Sequence, residues 1–94
     1  MSAVADITPA ARRELRAARD YYESLLPGLD VRFVNAVVKA IDTIADFPLS
    51  FESVSDEVRA YKVKRFPYIV YYKSDGVVLS IISVAHQSRR NRPQ

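Results

Sequence analysis

The chain has 94 residues, 49% of them hydrophobic, and fourteen Lys and Arg against eleven Asp and Glu leave a net charge of +3. That length fits one domain spanning residues 1–94 with a modest core, so a partner that binds only the folded form would raise its stability by mass action. The absence of Cys excludes disulfides, thiolate chemistry and Cys-based zinc sites, and a staple-free domain of this size is expected in a reducing cytoplasm.

The N-terminus MSAVADITPAARREL lacks the basic-then-apolar pattern of a signal peptide. No apolar run approaches the ~20 residues of a membrane span, so no membrane partner is expected. Val4 to Ile7 forms a short apolar segment, a strand if it joins a sheet. Thr8-Pro9 then supplies an N-cap and a favoured first helical residue, which predicts a helix from Pro9. Ala11, Leu15, Ala18, Tyr22 and Leu25 recur at spacings of four and three, the stripe of an amphipathic helix. Arg12, Arg13, Arg16 and Arg19 lie on its other sides, as a solubilising strip or as a contact for an acidic partner.

Leu26-Pro27-Gly28 stops this helix. Phe33, Val37, Ile41 and Ile44 start a second stripe, Asp30 suits the helix dipole, and Phe47-Pro48 ends the element. So short a connection makes the two helices antiparallel. Residues Leu49 to Glu57 are polar and read as a loop. Val58 to Phe66, Pro67 to Lys73 and Val77 to His86 are β-branched and aromatic and read as three strands, with Asp75-Gly76 as a hairpin turn and Pro67 at a bend. The expected fold class is α+β: a short N-terminal strand, a helical hairpin, then a three-stranded antiparallel meander (β-α-α-β-β-β).

Strand alternation places Val78, Ile82 and Val84 on one face and Val77, Leu79, Ile81 and Ala85 on the other; Tyr68, Val70 and Tyr72 oppose Ile69 and Tyr71. Both faces are apolar, and two helices can cover one. The other face is then covered by loops, the tail and a second copy, or by a partner protein.

His86 is the only His, weak evidence for a metal site, which needs several ligands at suitable spacing, and no cofactor is expected. It either caps its strand or acts as an acid–base group, with Lys62, Lys64, Arg65, Arg89 and Arg90 available to hold a phosphate. The candidate second acids, Glu52, Asp56 and Glu57, sit in the loop. Lys62 and Lys64 share one face of the predicted strand, with Arg65 on the other. A basic strand among Tyr61, Phe66, Tyr68, Tyr71 and Tyr72 can bind single-stranded nucleic acid, or be a solvated edge over core aromatics. Two Gly residues preclude a Gly-rich phosphate loop, and there is no serine hydrolase motif.

The blocks ITPAARREL, DYYESLLPGLDVRF, IADFPLSF, VRAYKVKRFPYIVYYK and VVLSIISVAHQSR together resemble the RelE/ParE superfamily, toxins of bacterial type II toxin–antitoxin modules often labelled plasmid stabilisation proteins. The likeness runs from Ile7 to Arg89, and RFPYIVYY and VAHQSR are its most specific parts. It implies a cognate antitoxin that wraps the toxin and covers the free sheet face. The PGL turn, the FPY block and the HQSR ending look ParE-like, which implies a DNA gyrase inhibitor rather than an enzyme. The alternative is a RelE-like, ribosome-dependent mRNA endonuclease, for which His86, Arg65 and Arg89 would be the catalytic groups. The chain departs from the common pattern at Arg90, where many relatives carry Asp, and it lacks the C-terminal Tyr of typical ribosome-dependent cutters. Arg12, Arg16, Arg59, Lys62, Lys64, Tyr71 and Arg90 are the candidate contacts to target or antitoxin.

Overall fold

A computed structural model describes residues 4–89; Arg90 lies outside them. The elements in chain order are β1 (Val4–Ile7), α1 (Pro9–Leu25), α2 (Leu29–Asp46), β2 (Glu52–Ser53), β3 (Arg59–Lys62), β4 (Tyr68–Ser74), β5 (Val78–His86) and a 3-10 turn at Gln87–Arg89. They form one five-stranded sheet in the order β1-β5-β4-β3-β2. The architecture is the expected α+β one, with β1 joining the sheet parallel to β5. The added element is β2, a two-residue strand within the Leu49–Glu57 segment, antiparallel to β3.

Local chemistry explains the boundaries. The Thr8 hydroxyl accepts a hydrogen bond from the Ala11 N–H at 3.2 Å, and Pro9 occupies the first turn, so two of the orphan helix-start positions are accounted for. Gly28 has φ 91°, a left-handed conformation that reverses the chain between the helices without a Cβ penalty. Gly76, with φ 92°, is the sole residue of the β4–β5 turn in that region, as a two-residue hairpin with Gly at its first central position requires.

The turn before β4 differs from the sequence-based expectation. The predicted strand Val58–Phe66 ends at Lys62. Val63 turns inward, fully buried, and its N–H donates to the Tyr68 carbonyl at 2.9 Å. Arg65 takes φ 71°. Lys64 and Arg65 therefore lie in a turn, and Lys62 and Lys64 do not share a strand face.

The helical hairpin packs on the face that carries Val70, Tyr72, Leu79, Ile81 and Val84, and Phe33, Val37 and Ile44 come down onto it. Val84 thus shares a face with Leu79 and Ile81 rather than with Val78 and Ile82. The cause is a bulge: Tyr72 pairs with Ile81 but Tyr71 with Ser83, leaving Ile82 as the extra residue in β5. One extra residue reverses the alternation downstream. The outward face then carries Ile69, Tyr71, Ile82 and Ala85, interleaved with Lys62, Lys73 and Ser80.

One turn carries a pH signature. The Asp75 carboxylate accepts hydrogen bonds from the Val77 and Val78 N–H groups at 2.9 and 2.8 Å. The Val78 bond first, then the Val77 bond, holds its pKa below the ordinary carboxylate value. A depressed folded pKa gives a contribution present in full above the unfolded value and lost as pH falls through the folded one. Asp75→Asn keeps an acceptor oxygen without the titration. Urea titrations across the range below about pH 4 are expected to show a shallower acid loss of stability in Asp75→Asn than in the unsubstituted chain.

Candidate functional site

Two ends of the sheet carry different chemistry. At one end lie the β3–β4 turn (residues 63–67), the end of β5 and the 3-10 turn. The Gln87 N–H donates to the Pro67 carbonyl at 2.8 Å, and Tyr68 pairs with His86 across the strands. Lys62, Lys64 and Arg65 are exposed here, and no ion pair engages them among the described residues. Arg65 and His86 are thus brought to the same end, together with the backbone of Arg89.

His86 is held by its surroundings. Its Nδ1 accepts from the Ser88 N–H at 3.1 Å and lies 2.9 Å from the Ser88 hydroxyl. Acceptance at Nδ1 leaves the proton of the neutral ring on Nε2. The ring meets Tyr68 edge-on at 5.3 Å between centroids. Tyr68 belongs to a cluster with Tyr22, Phe33 and Phe66, so the helical hairpin sets the position of His86 through aromatic packing.

The candidate second acids do not join it. Glu52 pairs with Ala60, and Glu57 forms a 3.9 Å ion pair with Lys73. Lys73 sits five residues along β4 from Tyr68, a separation of roughly 17 Å at strand rise. Asp56, Glu57, Lys73 and Asp75 line a hollow of about 470 Å³ at that opposite end. This hollow is therefore away from His86. Arg59 is also remote: its Nη1 donates to the Phe51 carbonyl at 2.7 Å. It lies beside Tyr72, whose hydroxyl pKa is pushed up by burial and partly offset by this guanidinium. Tyr22 is likewise raised, by burial first and then by Tyr68 and Tyr21. Neither phenol is set up to ionise near neutrality.

Arg12 and Arg16 are exposed on α1, away from the β3–β4 turn in sequence and fold, and Arg12 Nε donates to the Ile7 carbonyl at 3.2 Å. Tyr71 is half-buried on the outward face, opposite Ala60 and Ser83. Glu14 carries no local sequence signal. Its Oε1 accepts from the Ser83 hydroxyl and from the Val84 N–H, both at 2.9 Å. β1 pairs with β5 no further than Ile81, so a side chain of α1 takes the place of the missing strand. Next to it Arg13, Ala17, Tyr21, Tyr68 and Val84 line a groove of about 350 Å³. Groups of His, Asp or Glu able to hold a metal ion are absent among the described residues, and no described helix is long and apolar enough to cross a membrane.

A helical hairpin on one face of a β1-β5-β4-β3-β2 sheet, with a cationic turn and a tethered His at one end, defines a small α+β domain. Residues 5–91 match the family described as "ParE toxin of type II toxin-antitoxin system, parDE", and the chain belongs to that family. A solved structure described as "Chromosomal ParDE TA system from P. aeruginosa" shares the fold, with a TM-score of 0.79 over 90% of this chain and 96% of that one at 19% identity. Comparison with curated protein sequences finds no match.

Proposed function

We propose that this ParE-type toxin inhibits DNA gyrase and is neutralised by a cognate antitoxin. The family match over residues 5–91 carries this reading. The placement of carboxylates is consistent with an inhibitor that performs no cleavage: Asp56 and Glu57 line the hollow at the end of the sheet away from His86, and Glu52 lies on the edge strand β2, with β3 and β4 between it and β5. In a supercoiling assay, the purified toxin is expected to block gyrase at near-stoichiometric amounts, with His86→Ala inhibiting as the unsubstituted chain does. Unimpaired supercoiling at a large excess of toxin sinks the proposal. Co-expression with the antitoxin is expected to relieve growth arrest.

A second reading, a ribosome-dependent mRNA endonuclease, draws on the placement of Arg65 and His86 at one end of the sheet. Primer extension on translated mRNA separates the two: cuts that vanish in His86→Ala would establish cleavage in place of gyrase inhibition.

A further inference from the structure

Charge is divided along this chain far more unevenly than its net value suggests. Residues 58–94 contain eight Lys and Arg and one carboxylate, Asp75, a net of +7; residues 1–57 contain six Lys and Arg and ten carboxylates, a net of −4. The lone carboxylate of the basic half sits in the β4–β5 turn, at the opposite end of β4 from Tyr68 and His86. Glu52 of β2 stands opposite Ala60, two residues from Lys62, yet no ion pair engages Lys62, Lys64 or Arg65 among the described residues. Asymmetry of this kind between two halves of a chain is the footprint of a polyanion partner.

Arg65 adds a second observation. It is the single non-Gly residue with positive φ among the described residues. The left-handed region is uncommon for a residue with a long side chain, and Gly or Asn would occupy it at lower cost. Phe66 and Pro67 follow and hold the turn, with the Tyr68 N–H donating to the Phe66 carbonyl at 2.8 Å. An exposed cation kept on a strained turn is a mark of use.

We propose that the β3–β4 turn, through Lys62, Lys64 and Arg65, binds the phosphodiester backbone of duplex DNA. The aromatics favour a duplex over a single strand. Single-strand binders offer free ring faces for base stacking, whereas here Tyr22, Phe33 and Tyr68 are buried, Phe66 packs against Tyr22 and Phe33, and His86 packs on Tyr68. What remains is charge without stacking, which suits phosphate contacts that carry no sequence information. The proposal deepens the gyrase reading, since the toxin would engage the enzyme together with the DNA it holds.

The test uses the purified toxin and a 30-bp duplex of arbitrary sequence, followed by fluorescence anisotropy over a salt series. The unsubstituted chain is expected to bind with a Kd on the order of 10⁻⁴–10⁻⁶ M and to weaken steeply with salt. Lys62→Ala, Lys64→Ala and Arg65→Gly are each expected to lower affinity and to reduce the log–log salt slope by about one. Arg65→Lys is expected to bind within about twofold of the unsubstituted chain, because charge sets this term. Arg65→Gly also relieves the left-handed strain, so it should unfold at the same or higher urea concentration; lost binding then cannot be a folding defect. Lys39→Ala on α2 is the control and should bind unchanged. Equal binding by Arg65→Gly and the unsubstituted chain overturns the proposal, as does binding to phosphatidylglycerol vesicles without binding to the duplex. Gyrase inhibition with no DNA binding overturns this inference alone. DNA binding without gyrase inhibition overturns the gyrase reading and leaves the phosphate site standing.

Discussion

Replacing Phe33 by Ala is expected to lower the stability of the domain by about 3–5 kcal/mol, the range for deleting a buried aromatic side chain. Phe33 is fully buried. Its ring centroid lies 5.0 Å from Tyr22, 5.3 Å from Phe66 and 5.0 Å from Tyr68. It therefore joins α2 to α1, to the β3–β4 turn and to β4 at one point. Removing it deletes apolar burial, forfeits three ring–ring contacts and opens a space whose walls belong to four elements, which limits collapse. Domains of this class have about 5–15 kcal/mol of total stability, so the loss is a large fraction of the whole. With a urea m-value of about 1 kcal/mol/M, the unfolding midpoint should fall by about 3 M or more. Phe33→Leu keeps part of the volume and loses the ring contacts, so it should fall between the two. The functional consequence follows the packing. Tyr68 positions His86 and closes the turn that bears Arg65, so Phe33→Ala should also broaden the NMR signals of the His86 ring. A midpoint shift under 1 M would show that the Phe33 cluster does not hold these four elements together.

The parts of this fold that were legible in the sequence are those with local punctuation. Thr8-Pro9, Pro27-Gly28, Phe47-Pro48 and Asp75-Gly76 each impose a backbone restriction within a few residues, and each marks an element boundary in the structure. The periodic stripe of α1 likewise carries its buried residues Ala11, Ala18 and Tyr22. The bulge at Ile82 had no such mark. Apolar residues occupy both registers of VVLSIISVAH, so slipping by one leaves no break in the period, and the faces could not be sorted from alternation alone. The turn at Lys64-Arg65 was hidden for a related reason. Left-handed conformations are announced by Gly or Asn, and VKRF continues the look of a strand. Within the candidate site, Lys62, Lys64, Arg65 and His86 were visible as residue types, and their gathering at one end followed from the hairpin order. Glu14 was not visible. It stands among Arg12, Arg13 and Arg16 on the polar side of α1, and its partners are about seventy residues away; no local pattern reports such a contact.

Glu14→Ala is expected to cost about 2–3 kcal/mol, a large effect for a polar residue near the surface, where substitutions usually fall within about 0.5 kcal/mol. Past Ile81 the edge of β5 has no strand beside it, and the Val84 residue there is buried. Its N–H needs an acceptor, and Oε1 of Glu14 is that acceptor, shared with the Ser83 hydroxyl. Without it the hydroxyl can rotate to water. The amide cannot, and it bears the full penalty of an unsatisfied buried donor. Glu14→Gln separates acceptor from charge. Its amide oxygen can take both hydrogen bonds, so this variant should recover more than half of the loss. Hydrogen exchange supplies the local readout: the Val84 amide should exchange faster in Glu14→Ala by a larger factor than Val70 opposite it, which stays paired inside the sheet. Should both amides accelerate equally, the carboxylate would be acting on global stability alone. A selective rise at Val84 would identify Glu14 as the cap of an exposed strand edge, the feature that lets β5 outrun β1 and carry His86 to the basic end of the sheet.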